Sequence, residues 1–373
     1  MSHLLAREWA RFAATPRLWW FTLLLPVMLP GLLLLIFIEQ VPDQLPVAVV
    51  DQDQSAGSRQ LVRALDGTPG LRIAAHLPDM NAAASRVRQG DVYAVIVVPR
   101  DFAREVIRAE QPRIQLYYNR QTLTAGNLVL REVRTAVTTT AIGIGMAQGA
   151  LPAVLVESHA LFNPGLEFGR FLALPLAVAV LHVLMVVLAI DVTGRELRDG
   201  SAGDWMDAAG GGMVTALLGK LLPYMVWFFV FGLLLLAVLL RLLGTEFKGS
   251  LIVWILGWLG LVLASFGLGA FLLGLLGNLR LATSVASVLV SPAFAYSGMT
   301  FPTAAMDGFA AFWAQALPLG YFLHLQSAQV LMAAPPAAAL WHVFALLLFA
   351  LLPVLTLRRW RRWFTDPDSW GQA

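Results

Sequence analysis

Apolar positions fall into three patterns along the chain. In the first, six stretches are almost continuously apolar: Leu18 to Ile38, Phe171 to Ile190, Leu221 to Leu240, Leu251 to Leu276, Leu281 to Met299, and Ala337 to Leu357. A hydrocarbon layer roughly 30 Å thick takes about 20 such residues to cross as a helix. Lipid offers no partner to open backbone groups, so a helix is predicted for each stretch. The first reads as an uncleaved anchor, because it is long, carries Trp19 and Trp20, and runs into Glu39-Gln40-Val41 with no small-residue cleavage site.

The second pattern occupies Glu39 to Gly165, where short apolar runs alternate with polar turns. Strands are predicted at Leu45 to Asp51, Leu71 to Ala75, Tyr93 to Val98, and Ile114 to Tyr118. Helices are predicted at Ser55 to Leu65, Asn81 to Gln89, and Asp101 to Ala109 with Asp101 as cap. A long helix from Thr122 to about Met146 leads back toward the membrane. The segment has the size of a domain and is expected to be an inserted α/β unit over residues 39–165.

The third pattern, Thr300 to Pro336, has no Asp, Glu, Lys or Arg after Asp307 until Arg358, yet Pro302, Pro318, Pro335 and Pro336 interrupt it. The run from Asp307 to Arg358 is too long for one span, and crossing it as two spans in place of one would carry the final arginines to the outer side. A short re-entrant helical hairpin on the outer face, around Phe309 to Met332, is preferred to a simple outer loop.

Composition agrees with the pattern. The 373 residues are 58% hydrophobic and 13% charged, about half the charge of a soluble domain, with mean hydropathy +0.71. That excludes a soluble globule, a disordered chain and a nucleic-acid binder. The net charge is only +3, and with no cysteine there are no disulfides, thiolate metal sites or cysteine nucleophiles. Placement of the cations is more informative. Arg7, Arg11 and Arg17 precede the first span, Arg195, Arg198 and Lys220 lie between the second and third, and Arg280 lies between the fourth and fifth. Arg358, Arg359, Arg361 and Arg362 follow the last. Positive charge gathers on the cytoplasmic side, so both termini are expected there and residues 39–165 outside.

Six patches, in order along almost the whole chain, carry a family resemblance. They are Val49-Val50-Asp51-Gln52-Asp53-Gln54-Ser55, then Val97-Val98-Pro99-Arg100-Asp101-Phe102, and Leu161-Phe162-Asn163-Pro164. The fourth joins Arg195-Glu196-Leu197-Arg198-Asp199-Gly200-Ser201 to Gly219-Lys220-Leu221-Leu222-Pro223-Tyr224. Ser297-Gly298-Met299-Thr300-Phe301-Pro302 and Leu317-Pro318-Leu319-Gly320-Tyr321 complete the set. The chain resembles the membrane subunit of ABC exporters of the type-2 (ABC-2) permease family, in the branch with a large periplasmic domain after the first transmembrane helix. It departs from that family at Gly203, which interrupts a usually Glu-rich turn and is followed by Gly210-Gly211-Gly212, at Asp307, which replaces a proline, and at the Gln326 to Gln329 region, which stands where an Arg is common.

The resemblance implies a polytopic α-helical permease of the bacterial inner membrane with six spans, in three parts. Residues 1–38 are a cytoplasmic segment and first span, 39–165 an extracytoplasmic α/β domain, and 166–373 a five-helix membrane domain. That last part includes a cytoplasmic coupling helix (194–213) and an outer re-entrant segment (300–336). Arg195, Glu196, Arg198, Asp199, Gly200, Ser201, Trp205 and Met206 would couple to a separate nucleotide-binding ATPase, with Trp205 and Met206 presented to a groove on it. ATP and Mg belong to that partner, since this chain has no G-x-x-x-x-G-K-[ST] loop and binds no cofactor or metal of its own. The same resemblance implies a dimer with a second copy or a paralogue, spans two and five lining the seam, and a periplasmic membrane-fusion adaptor as a further partner. Amphipathic drug-like molecules are the expected cargo, with lipids or a polymer next. A membrane-anchored sensor or scaffold, its outer domain docking a ligand, is the rival reading.

A translocation or gate region is expected at His182, Ser297, Gly298, Phe301, Pro302, Pro318 and Tyr321. His182 lies mid-span, where an ionisable group is a functional candidate but a hydrogen-bonded structural role serves as well. Lys220 at a span start is expected to snorkel to the interface. Trp9, Trp19, Trp20, Trp360, Trp363 and Trp370 are expected to be interfacial anchors. Gly267, Gly269, Gly274 and Gly277 point to close helix packing.

Overall fold

A computed structural model describes residues 2–37, 44–89, 91–108, 113–118, 123–147, 172–300, 303 and 306–366. The patch Leu161 to Pro164, together with Phe301, Pro302 and Trp370, lies outside the described residues. Two compact units form: Met1–Ile38 with Phe168–Ala373, and Glu39–Glu167.

The helical unit contains five helices long and apolar enough to cross a membrane: Pro16–Ile36, Leu174–Arg198, Met213–Leu242, Leu251–Leu276 and Pro336–Thr365. The second and fourth are the most enclosed, with 78% and 72% of their apolar stretches buried against 17–28% in the others. They form a central pair whose close approach rests on glycine. A Cβ on Gly269 would stand 2.5 Å from the Val186 carbonyl oxygen and 2.7 Å from Ala189 Cβ. Gly232 similarly admits the Trp258 ring, whose Nε1 donates to the Phe229 carbonyl at 3.0 Å.

The expected span Leu281 to Met299 is shorter than the other five. An α-helix runs Leu279–Val290 and tightens to a 3-10 turn at Ser291–Phe294. At 1.5 Å per residue that is roughly 24 Å, short of a full hydrocarbon layer. Asn278 fixes its start by accepting from Leu281 N at 2.9 Å, and Pro292, which has no N–H, falls where the α-helix gives way. Downstream, Gly308–Ala316 and Pro318–Gln326 form two consecutive short helices, the first capped by Asp307 through Ala310 N at 3.4 Å. The second is buried against the fourth span, where Phe322 meets the stacked rings of Trp254 and Trp258.

Trp360 corrects the expectation of an interfacial anchor. It is fully buried, with its Nε1 where a Cβ on Gly274 would lie at 2.2 Å. Trp9, Trp19 and Trp20 are exposed on the helical surface.

The second unit is built on a four-stranded sheet of order β2-β1-β3-β4, with β1 Leu45–Asp51, β2 Leu71–His76, β3 Ala94–Val98 and β4 Gln115–Tyr118. β1 lies parallel to both β2 and β3, and β4 closes the edge antiparallel to β3. The central strands are apolar on both faces, as burial on both sides demands. Val47, Val49, Ile96 and Val98 pack with Leu61, Phe102 and Val129, while Ala48, Val50, Val95 and Val97 face Ala83 and Val92. Asp101 holds the N-cap position expected of it, but its side chain does not do the capping. It sits at φ 67 with no capping hydrogen bond, because the N–H of Ala103 at the start of helix Phe102–Ile107 donates instead to Asp53 at 3.2 Å. Asp51 supports that loop by accepting from Asp53 N and Gln54 N at 3.0 Å each and from Ser58 Oγ at 2.8 Å.

Candidate functional site

One end of the helical unit holds a buried ionic network. Its centre is Glu196, in the last turn of helix Leu174–Arg198 and 0% exposed. The sequence upstream of the first span forms an amphipathic helix, Ser2–Ala14, which sets Arg7 and Arg11 one turn apart. Arg7 Nη2 donates to Glu196 Oε2 at 2.9 Å, and Arg11 donates to Glu196 Oε1. From the third span, Lys220 Nζ donates to Glu196 Oε1 at 2.5 Å and to Glu8 Oε1 at 2.6 Å. Ser201 closes the ring: its Oγ donates to Glu196 Oε2 at 2.5 Å and accepts from Arg11 Nη2 at 3.2 Å.

A second carboxylate ties the same elements one turn earlier. Asp191 pairs with Arg195 at 3.1 Å and with Arg17, at the start of the first span, at 3.2 Å. Charges withdrawn from solvent are tolerated when paired and hydrogen-bonded, and removing one partner leaves the other stranded. The N-terminal helix is thereby locked to the second and third spans, and the exposed Arg17 adds a surface link from the first span.

Lys220 therefore does not snorkel. It is 1% exposed, and its Nζ also lies 5.3 Å over the Trp205 ring. The predicted coupling helix (194–213) is likewise three pieces rather than one. Residues 194–198 finish the second span, Gly200 takes φ +65 to turn the chain, and a short helix covers Ala202–Ala208. Left-handed backbone at such a turn favours glycine. Trp205 is not offered to a partner, being fully buried edge-on against Phe364 at 4.9 Å, while Met206 is half-buried. The face left open carries Asp199, Asp204 and Asp207, with Arg198 half-buried beside Asp199 at 2.9 Å.

The gate candidates separate into two places. Ser297, Gly298, Pro318 and Tyr321 come together where Gly298, at φ +84, admits the His324 ring and Pro318 opens helix Pro318–Gln326. Ser297, Tyr321, His324 and His342 line a pocket of about 400 Å³, in which the two imidazoles stack 6.0 Å apart and Tyr321 OH donates to the Gln315 carbonyl at 3.2 Å. His182 lies elsewhere, buried between the second and fourth spans with Nδ1 2.8 Å from Ser265 Oγ. Among the described residues no group of three His, Asp or Glu side chains is placed to hold a metal.

Sequence reasoning missed Glu8, Asp191 as a clamp, and the buried role of Lys220. The available signal was Arg7, Glu8 and Arg11 within one helical turn ahead of a span, an odd density of charge beside lipid.

With this geometry in hand, residues 16–357 match the family described as ABC-2 family transporter protein. The chain is also 24% identical over 331 residues to a "Probable multidrug ABC transporter permease YbhS" of Escherichia coli (strain K12), covering 86% of this chain and 85% of that one. The same values hold for the protein of that name from Escherichia coli O157:H7. No solved structure matches.

Proposed function

Since the chain belongs to the ABC-2 transporter family, we propose that it is the permease subunit of an ATP-driven exporter that moves amphipathic, drug-like molecules out across a bacterial inner membrane. ATP and Mg are handled by a separate ATPase, and two permease copies, identical or paralogous, form the pathway between them. In this reading the six apolar segments all engage the membrane with both termini cytoplasmic, and residues 39–165 lie outside, where they meet a periplasmic adaptor.

The observation that carries the reading is the Glu196 network, which ties the N-terminal helix to the ends of the second and third spans and to the turn at Ser201. A push on the short helix Ala202–Ala208 is passed through buried ionic contacts to the N-terminal helix and the second and third spans at once. Its open acidic face, Asp199, Asp204 and Asp207, is the part that meets the ATPase. At the far end of the pathway, Ser297, Gly298, Pro318 and Tyr321 form the gate.

Mild-detergent purification of the tagged chain, with mass spectrometry of what accompanies it, tests this. A stoichiometric P-loop ATPase is the expected companion, and D204K/D207K should lower its recovery without changing the amount of permease in the membrane. A chain that emerges alone even after crosslinking would point instead to a membrane-anchored sensor or scaffold.

A further inference from the structure

Between the third, fourth and last spans runs a groove of about 250 Å³, whose lining includes Leu218, Leu263, Gly267, Val354 and Leu357 and holds no polar side chain. Val214, Leu218, Leu351 and Val354 line it and are each about half exposed, so it opens on the apolar outer surface of the helical unit. The groove runs into cations. Val354 lies in the 3-10 turn Leu352–Thr356, and Leu357 opens the closing helix Leu357–Thr365. Side chains one turn apart in a helix share a face, so Arg361 follows Leu357 on the groove side and Arg358 stands beside it. The other side of this helix is fixed to the protein. Trp360 and Phe364 are fully buried, Trp363 fills the space beside Gly277, and Arg359 donates to the Leu275 carbonyl at 2.9 Å. Arg358, Arg361 and Arg362 are left exposed, and none has an acidic partner among the described residues.

We infer that this groove binds an anionic phospholipid, with one acyl chain between Leu218 and Val354 and the phosphate on Arg361 and Arg358. Three features select that occupant. A groove with no polar lining side chain takes hydrocarbon and offers nothing to a water-soluble molecule. Guanidinium forks match phosphate oxygens two at a time, and three arginines within five residues favour a negative head over a zwitterionic one. The order along the last span is also that of a lipid. Exposed Leu351, Val354 and Leu355 give way within one turn to exposed Arg358 and Arg361, as acyl chain gives way to headgroup. An acidic protein surface would satisfy the arginines and leave the groove empty.

Phe364, on the same closing helix, packs edge-on against Trp205 of the short helix Ala202–Ala208. A lipid in the groove therefore braces the helix on which that short helix rests. The binding requires only that the chain sits in a bilayer and does not depend on the exporter reading.

The test titrates the full chain in detergent micelles with dioleoyl phosphatidylglycerol or dioleoyl phosphatidylcholine, and native mass spectrometry reads the first lipid bound. On the wild-type chain, phosphatidylglycerol should bind about tenfold or more tightly, since each arginine near an anionic headgroup is worth about fivefold. R361Q should cut that preference by about fivefold, and R358Q/R361Q should abolish it. V354W fills the groove from an exposed position and should weaken both lipids by about fourfold or more, as losing one buried methylene does, while keeping the preference. R280Q removes one exposed charge outside the groove, on helix Leu279–Val290, and should change nothing. Equal binding of the two lipids would leave the arginines to an acidic protein surface and overturn the inference. So would an effect of R280Q as large as that of R361Q, which would mean diffuse charge without a site. Wild-type lipid affinity in V354W, or displacement of the lipid by an equal concentration of glycerol 3-phosphate, would make this an anion site without a chain and overturn the lipid assignment. A dimer in the same spectra that takes up no phosphatidylglycerol would give the groove to a second copy of the chain.

Discussion

Lys220 Nζ lies 2.6 Å from Glu8 Oε1, across 212 residues of sequence, and it is the one ion-pair partner Glu8 has among the described residues. Glu196, by contrast, holds Arg7, Arg11 and Lys220 together. The two carboxylates therefore respond differently to loss of the lysine. K220M strands Glu8 as a buried, uncompensated charge and should cost about 3–5 kcal/mol. Adding E8Q to K220M should restore much of that loss. Thermal unfolding of the detergent-solubilised chain measures both. A double variant as unstable as K220M alone would show that the lysine acts through Glu196 only.

The approach of the second and fourth spans depends on Gly269. An added methyl there meets the backbone carbonyl of Val186, which has no rotamer to move. G269A should cost about 1–3 kcal/mol, as overpacking of a filled interior does. G31A, in helix Leu25–Phe37 with nothing within 4 Å of an added Cβ, should show no loss. Paired melting curves separate close approach from a general effect of replacing glycine.

What was legible in the sequence follows from how local the cause is. Strand β1 at Leu45–Asp51 and helix Leu251–Leu276 were readable because an apolar run of fixed length carries its own evidence. The span ending at Met299 was overestimated because the stretch stays apolar through Ser291-Pro292, where the helix nonetheless changes character. The end that holds the Glu196 network was the least legible. Arg7 and Glu196 are 189 residues apart, and nothing local tells a paired arginine from an interfacial one. Trp205 was placed on the wrong face for the same reason. Its partner, Phe364, comes from the final helix, which no local pattern brings into contact with the short helix.

Asp53, not Asp101, supports the helix Phe102–Ile107. D53A removes the acceptor of the Ala103 N–H and of the Ser55 hydroxyl at 2.5 Å, and should cost about 0.5–2 kcal/mol, the range for a lost N-cap. D101N should be nearly neutral, since asparagine tolerates left-handed backbone and the exposed Asp101–Arg104 pair is worth about 0–1 kcal/mol. Hydrogen exchange on the full chain should show the D53A loss at residues 102–107. Faster exchange there in D101N than in D53A would return the capping role to Asp101.

The hydrogen bond between His182 and Ser265 fixes the state of the buried imidazole. Ser265 Oγ has one proton, which it donates to the Leu261 carbonyl at 2.6 Å, so it accepts from His182 Nδ1–H. The imidazole is thereby held in one tautomer, with Nε2 unpartnered among the described residues. S265A leaves the Nδ1 donor unsatisfied in an apolar interior and should cost about 1–3 kcal/mol. H182F/S265A removes donor and acceptor together, so it should recover most of that stability. If the pair only fastens two spans, the double variant should also transport at close to the wild-type rate in vesicles containing the ATPase. A double variant that is stable but inactive would make His182 part of the pathway, with Nε2 as the atom that meets the cargo.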